Sequence, residues 1–173
     1  DMVKNLSTAK SPQQMFGAMA KTYIAQKLGI DPTKVFSVSI MPCVAKKYER
    51  SVPQVNDSGK GSDVDLVLTT RELDSFIRSD NIRPEDLVDM PFDSIFGEGS
   101  GAGVIFGTTG GVMEAALRTA YYLVSGENPQ ADAFQNVRGM KGWREQTFNL
   151  KGNKLKVAVA TGLANARALL EAV

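Results

Sequence analysis

Residues VFSVSIMPCVAKKYE (35–49) carry the strongest fold signal of the chain together with its single cysteine. Residues 35–40 alternate large apolar with small polar side chains and are rich in β-branched types, which predicts a strand. Pro42 cannot donate a hydrogen bond to a neighbouring strand, so it ends this strand just before Cys43. Ligands of open α/β sheets bind at the carboxyl ends of the strands. The sequence therefore predicts that Cys43 lies at a binding edge.

Helices and strands alternate on both sides of this stretch. The predicted elements, in chain order, are a helix that Ser11 caps and Gly29 ends, strands over 35–40 and 65–68, a helix that Thr69 or Thr70 caps, a helix over 112–124, a hairpin of 148–150 with 155–160 around Gly152 and Asn153, and a last helix from Leu163. This alternation favours an α/β fold in which helices flank a layered, partly parallel sheet.

The composition excludes several classes of function. The 173 residues carry a formal net charge of +1, which leaves no positive excess for binding the phosphates of nucleic acids. No run of 18 apolar residues occurs, so no membrane span is predicted. The chain has no histidine and one cysteine, so it cannot by itself build a Ser-His or Cys-His catalytic pair, a disulfide or a Cys-rich metal site.

Cys43 is followed at three-residue intervals by a cation and a carboxylate, Lys46 and Glu49. A neighbouring lysine is expected to lower the pKa of the thiol and to favour the thiolate, which is the nucleophilic and metal-binding form. The alternative is a buried structural cysteine, because free cysteine is among the most buried residue types. The residues alone leave both interpretations open.

A glycine-rich stretch, GEGSGAGVIFGTTGG (97–111), precedes the helix over 112–124 and has seven glycines in fifteen residues. Such density indicates close backbone approach or positive φ angles. The free N–H groups after Gly110 suggest an anion site, and the alternative is a tightly packed connection. The stretch matches neither a P-loop nor a dinucleotide fingerprint. On the helix that follows, Glu114 and Arg118 are spaced for a local ion pair.

Several segments, in order, resemble the catalytic domain of iron-only (di-iron) hydrogenases. MPCVAKKYE (41–49) is similar to the second cysteine motif of that family, and LSTAKSPQQMFGA (6–18) to the segment before it. The other similar segments are DVDLVLTTREL (63–73), GEGSGAGVIFGTTGGVMEAALRTAYYLVSG (97–126), VRGMKG (137–142) and KVAVATGLANARALLEAV (156–173). The resemblance covers nearly the whole chain.

The resemblance implies reversible proton reduction and dihydrogen oxidation at a six-iron cofactor, the H-cluster. In that cofactor a 4Fe-4S cubane is joined through a cysteine sulfur to a di-iron unit that carries CO and cyanide. Cys43 matches a ligand of the cubane, in agreement with the preference of iron–sulfur clusters for thiolates. Lys46 matches a donor to a cyanide of the di-iron unit, where a point charge serves an anionic ligand.

Other matched residues surround the cofactor in the family. Met41 and Phe106 match side chains that pack around the di-iron unit and exclude water. Gln13 matches a polar residue near the cluster, and Ser7 matches a hydroxyl of the proton path. Glu49 matches the acidic end of the cysteine motif, for which we expect a supporting role.

The family's upstream and downstream cysteine motifs are absent from residues 1–173. We therefore expect a partial H-cluster domain, truncated at both ends, within one lobe of a two-lobed catalytic domain. Four cysteines hold the H-cluster, so the chain alone is expected to hold no cofactor and to be inactive. The resemblance implies, as partners, the remainder of the catalytic domain and a ferredoxin or a nicotinamide-dehydrogenase module. We expect the cytoplasm as compartment, with the periplasm as the alternative.

Two further hypotheses accompany the hydrogenase interpretation. One is a hydrogenase-like iron–sulfur protein with a sensory or cluster-assembly role. The other is an unrelated α/β domain with a structural cysteine and a flexible glycine loop.

Overall fold

The computed structural model describes residues 3–139 and 142–172, which divide into a first unit ending at Ile95 and a second unit beginning at Phe96. Each unit combines helices with a two-stranded sheet of its own, parallel in the first and antiparallel in the second. The predicted α/β class is confirmed, with the strands distributed over two small sheets. Among the described residues, no helix has the length and apolar character needed to cross a membrane.

The first unit contains the cysteine and the elements around it. Its elements in chain order are α1 (Pro12–Met19), a π-helical turn (Ala20–Ile24), α2 (Ala25–Leu28), β1 (Val38–Ile40), α3 (Ala45–Glu49), β2 (Leu66–Leu68) and α4 (Thr70–Ser79). The side chain of Ser11 caps α1 by accepting from the N–H of Gln14 at 3.4 Å, and Gly29 ends α2 with a left-handed φ of 65°. Both helix limits agree with the sequence prediction.

The parallel pairing of β1 with β2 sets Val38 opposite Leu66 and Ile40 opposite Leu68. The predicted first strand, 35–40, is three residues too long at its start. The carboxylate of Asp65 accepts the N–H of Ser37 at 2.7 Å, and this contact stands where a strand-to-strand bond would form. A side chain that competes for a backbone donor in this way ends a ladder locally.

Polar side chains hold α1 and the π-helical turn against the loop before β2. The ammonium of Lys21, 4% exposed, lies 2.7 Å from Asp65 and 2.5 Å from the carbonyl of Ser62. Asp63 is fully buried and pairs with Lys10 at 2.8 Å. Burial acts to raise the pKa of Asp63, but hydrogen bonds from Lys10 and Ser58 outweigh it and lower that pKa. This packing is ionic as well as apolar.

The second unit is built around a helix and a hairpin. Its elements are α5 (Ala102–Phe106), α6 (Gly111–Ser125), β3 (Trp143–Leu150), β4 (Asn153–Ala160) and α7 (Leu163–Ala172). The predicted hairpin is confirmed, although β3 is longer than expected and the turn falls one residue earlier, at Lys151 and Gly152. Both turn residues have positive φ, 51° and 96°, which suits a tight two-residue hairpin turn.

An apolar cluster joins α6 to the hairpin in the second unit. Its buried members are Leu117, Phe134, Val137 and Leu150. The ring of Phe134 meets those of Tyr121 and Phe148 edge to face, with centroids 6.3 and 5.1 Å apart. Such aromatic pairs add about 0.5–1.5 kcal/mol beyond the burial of their area.

Candidate functional site

The first unit brings the ends of its two strands to one edge, as the sequence predicted for Cys43. The N–H of Met41 donates to the carbonyl of Leu68 at 2.9 Å, which extends the pairing one residue past β1. The chain then turns sharply, because the N–H of Cys43 donates to the carbonyl of Met41 at 2.8 Å. The carbonyl of Cys43 accepts from the N–H of Lys46 at 3.2 Å and starts α3, a short helix that the sequence reading missed.

Cys43 lines a cavity of about 430 Å³ at this edge. The other lining residues come from the turn after β1 and from the start of α4, namely Pro42, Val44, Thr69, Thr70 and Arg71. Cys43 is half-buried. This placement favours a functional thiol over the buried structural cysteine that the sequence left open.

Lys46 and Glu49 form an ion pair within α3, with 2.5 Å between the ammonium and Oε2. The other carboxylate oxygen accepts from the backbone N–H of Ser11 at 3.3 Å, which ties α3 to the start of α1. Burial acts to raise the pKa of Glu49, but hydrogen bonds from Lys46 and Ser11 prevail and lower it. Glu49 therefore stays ionised and holds the ammonium of Lys46.

The expected effect of Lys46 on the thiol of Cys43 stays a prediction, and the structure shows the ammonium paired with Glu49. The lysine turns along α3 to Glu49, its partner at i+3, because a carboxylate is the stronger acceptor. A lysine ammonium has three donors, and Glu49 uses one of them. Lys46, with 27% of its side chain exposed, therefore keeps donors for a second anionic partner.

Gln13 contacts the backbone of Lys46 in the fold. Gln13 is buried, with 7% of its surface exposed. Its amide oxygen accepts from the hydroxyl of Ser39 at 2.7 Å. Its nitrogen donates to the carbonyl of Lys46 at 3.5 Å. Sequence reasoning missed Ser39, and the small polar positions of the alternating strand were the signal that could have identified it.

The remaining predicted residues are more dispersed. Met41 is half-buried in the turn after β1. Ser7 is exposed and its hydroxyl accepts from the N–H of Ala9 at 3.1 Å, a local turn contact. Phe106 ends α5 in the second unit and is 41% exposed. The structure thus links Gln13 to Lys46, and Lys46 to Cys43, through hydrogen bonds of the Lys46 backbone at the start of α3.

The glycine-rich stretch supports the tight-packing interpretation at its end. A Cβ on Gly110 would lie 2.1 Å from the carbonyl oxygen of Val137, and one on Gly111 would lie 1.7 Å from that of Ile105. Gly110 also has a left-handed φ of 83°. Only glycine fits such contacts, so the close approach of the backbone explains both residues.

Glu114 and Arg118 form the predicted ion pair, and Arg138 completes it. Glu114 is fully buried, and its Oε1 lies 2.9 Å from nitrogens of both arginines. The hydrogen bond from Arg138 is the main influence that lowers the pKa of Glu114, against the opposing effect of burial. Sequence spacing identified Arg118, whereas Arg138 lies 24 positions away and carried no local signal.

The fit of an iron–sulfur cluster depends on Cys43. Within residues 3–139 and 142–172 no group of three or more His, Cys, Asp or Glu side chains is arranged to hold a metal ion. Cysteine thiolates are the usual ligands of iron–sulfur clusters, and a half-buried thiol beside a cavity fits one ligand position. The described residues thus supply one of the ligands that an iron–sulfur cluster needs.

A half-buried thiol lies at the carboxyl edge of two parallel strands, three residues before the lysine of a lysine–glutamate pair. Residues 1–173 match the family described as iron only hydrogenase large subunit, C-terminal domain. The chain belongs to this family. The family resemblance seen in the sequence is confirmed.

Curated relatives include two hydrogenases. The NADP-reducing hydrogenase subunit HndD of Solidesulfovibrio fructosivorans is 52% identical over 99% of this chain and 29% of its own length. The periplasmic Fe hydrogenase large subunit of Nitratidesulfovibrio vulgaris is 49% identical over 94% of this chain and 38% of its own length. A more distant relative, the cytosolic iron-sulfur assembly component 3 of Pongo abelii, is 31% identical over 98% of this chain and 37% of its own length.

Solved structures give the same family. The apo FeFe-hydrogenase HydA1 of Chlamydomonas reinhardtii superposes with a TM-score of 0.71 at 37% identity, over 99% of this chain and 50% of that one. The chain spans about a third of the curated relatives and half of this structure. The names of the relatives include both a periplasmic and a cytosolic protein.

Proposed function

We propose that this chain is the central part of the H-cluster domain of an iron-only hydrogenase. The whole protein would catalyse reversible dihydrogen oxidation and proton reduction with ferredoxin-type electron carriers. The observation that carries the proposal is the position of Cys43, half-buried at the carboxyl edge of β1 and β2 and lining a cavity. Family membership over residues 1–173 supports the same assignment.

Cys43 would be the ligand that this chain supplies to the cubane. Pro42 ends the strand, and the sharp turn at Met41 leads the chain into α3. Backbone hydrogen bonds on both sides of Cys43 therefore fix the position of the residue that carries the sulfur. When bound, the H-cluster supplies the redox chemistry of dihydrogen. The other cysteine ligands would come from parts of the hydrogenase outside residues 1–173, and the chain alone would be inactive.

Lys46 would bind the anionic face of the cofactor through its ammonium. Glu49 keeps its charge, because its pKa is lowered, and so holds the lysine in place while leaving it further donors. Gln13 and Ser39 would fix the backbone at Lys46 through the hydrogen bond to its carbonyl. Met41 and Phe106 would exclude water from the cofactor.

Ser7 would serve as a hydroxyl of the proton path. A hydroxyl both donates and accepts, and that of Ser7 uses one acceptor position on the N–H of Ala9. Its exposure leaves the donor for a neighbouring hydroxyl or carboxylate. The partners proposed are the remainder of the catalytic domain and a ferredoxin or nicotinamide-dehydrogenase module, in the cytoplasm or in the periplasm.

The test uses the full-length protein, matured with its cofactor machinery. Iron and acid-labile sulfide should be present in the amounts of a cubane plus a di-iron unit, and reduced carrier should support hydrogen evolution. Exchange of Lys46 for methionine, which keeps the length of the side chain and removes the charge, should lower turnover and leave the cubane in place. A matured protein that holds no cluster and evolves no hydrogen would contradict the proposal.

A second candidate is a role in cluster assembly. It is favoured by the relative from Pongo abelii, 31% identical over 98% of this chain, whose name describes cytosolic iron–sulfur assembly. The hydrogenases are more similar, at 52 and 49% identity, and this ranks the enzyme first. An assembly protein would hold cubane clusters and pass them to an apo-protein without evolving hydrogen. Measuring both properties on one preparation separates the two candidates.

A further inference from the structure

We propose that Arg71 is an electrostatic neighbour of the cluster on Cys43 and raises its reduction potential. The inference rests on the proposed function, because it takes Cys43 as a cluster ligand. Arg71 follows β2 as Cys43 follows β1, and the parallel strands bring both to one edge of the sheet. Cys43 and Arg71 line the same cavity.

Among the described residues, the two lysines that follow Cys43 each have a carboxylate partner, and this arginine has none. The ammonium of Lys46 is held by Glu49, and that of Lys47 lies 2.8 Å from a carboxylate oxygen of Glu72. Within residues 3–139 and 142–172, the guanidinium of Arg71 has no hydrogen-bond or ion-pair partner. Among the described residues that line this cavity, Arg71 is therefore the cation, and no carboxylate neutralises its charge.

Glu72, the neighbour of Arg71, does not neutralise it. One carboxylate oxygen accepts the N–H of Thr69 at 2.8 Å and so caps α4, while the carboxylate also binds Lys47. The hydrogen bond from Lys47, followed by that from Thr69, lowers the pKa of Glu72 to about 2. The carboxylate is thus kept charged by partners other than Arg71.

The start of α4 adds to the positive character of the cavity wall. α4 has ten residues, and its N-cap Thr69 and first two residues, Thr70 and Arg71, line the cavity. The amino end of a helix carries a partial positive charge. An iron–sulfur cluster held by thiolates is anionic, and its potential responds to nearby charge, hydrogen bonds and exposure. A cation facing the cubane stabilises the reduced state, which carries one more negative charge.

The experiment measures the potential of the cubane in the full-length protein loaded with iron and sulfide, before insertion of the di-iron unit. At the midpoint of the unaltered protein, Arg71→Gln should lower the ratio of reduced to oxidised cubane by about threefold, or ~28 mV at 59 mV per tenfold for one electron. Arg71→Glu should lower it further, since it reverses the charge. Arg71→Lys should stay near the unaltered value.

A matched control lies on the same helix. Arg78 pairs with Asp74 at 3.0 Å, two turns from Arg71, and Arg78→Gln should leave the ratio unchanged. An intact cubane whose ratio is unchanged in Arg71→Gln and Arg71→Glu would overturn the inference. So would a change confined to the rate or the salt dependence of reduction by the electron carrier, which would make Arg71 a docking residue. Absence of a cubane from the unaltered protein would instead overturn the proposed function, and the inference with it.

Discussion

β1 and β2 are three-residue strands separated by a long polar segment, whereas β3 and β4 are eight-residue strands joined by a two-residue turn. The hairpin pairs eight residues with eight and packs on an apolar cluster. The parallel pair depends on contacts distant in sequence, such as Lys10 with Asp63 and Lys21 with Asp65. Local pairing gives the second unit its fold, and buried ions position the edge that carries Cys43 in the first.

The largest effect is expected in the apolar cluster of the second unit. Phe134 is 4% exposed and contacts two aromatic rings, so Phe134→Ala should lower the free energy of unfolding by about 4 kcal/mol. Leu123→Ala, at a position of α6 that is 77% exposed, should change it by less than about 0.5 kcal/mol. Urea unfolding of the full-length variants, followed by circular dichroism, measures both. Equal effects would contradict the assignment of this core.

A buried ion pair is expected to have the next largest effect. Glu114→Gln leaves Arg118 and Arg138 without their carboxylate and should cost about 3 kcal/mol at pH 7. Glu127→Gln, at an exposed position shortly after α6, should be nearly silent. Urea unfolding at pH 7 compares the two substitutions, and a silent Glu114→Gln would show that the arginines pair elsewhere.

The pH dependence of the same residue has a definite sign. The pKa of Glu114 is lowered in the folded state, so its contribution is present above the unfolded pKa of about 4.3 and is lost as the pH falls through the folded value. Unfolding of the unaltered protein and of Glu114→Gln should therefore differ most near neutrality and converge on acidification. A difference that grows as the pH falls would contradict the lowered pKa.

A smaller loss is expected where α1 meets the loop before β2. A Cβ on Gly17 would lie 2.4 Å from the carbonyl oxygen of Asp63 and 2.8 Å from Val64 Cγ2, so Gly17→Ala should cost about 2 kcal/mol. Gly103 lies in α5 with nothing within 4 Å of an added Cβ, and Gly103→Ala should be neutral or stabilising. Thermal unfolding of both proteins provides the comparison. A neutral Gly17→Ala would mean that α1 packs less closely than described.

The smallest effect on stability is expected at two serine hydroxyls, one in β1 and one just before it. Ser39 donates to the buried amide of Gln13, so Ser39→Ala should cost about 1 kcal/mol. The hydroxyl oxygen of Ser37 is buried without a hydrogen-bond partner in the described part of the chain, so Ser37→Ala should be neutral or stabilising. Unfolding midpoints of the two variants in urea give the sign of the difference. The reverse order would remove Ser39 from the network.

The sequence was informative where the signals are local. The cap at Ser11, the stop at Gly29 and the hairpin around Gly152 follow from residues within a few positions of one another. α3 was missed because it has five residues and no side-chain cap. The shortened first strand was missed because Asp65 competes for the N–H of Ser37 from 28 positions away.

Local signals in the sequence also identified some residues of the candidate site and missed others. Cys43 at the end of a strand follows from Pro42 and from the alternation before it. Lys46 and Glu49 were identified as neighbours by spacing and form an ion pair, and the expected effect of Lys46 on the thiol stays a prediction. Ser39 joins the site through its hydrogen bond to Gln13 of α1, and Arg71 through the pairing of β1 with β2. The roles of Ser7, Met41, Gln13, Lys46 and Phe106 toward the cofactor stay predictions.

The most direct test of the central claim concerns the thiol of Cys43. Iron and acid-labile sulfide are counted in the full-length protein, in Cys43→Ala and in Val44→Ala, which alters the neighbouring exposed position. We predict that Cys43→Ala loses the iron and sulfide of one cubane, together with its paramagnetic resonance signal, while Val44→Ala keeps both. A Cys43→Ala protein that folds and retains the full iron content and that signal would contradict the account.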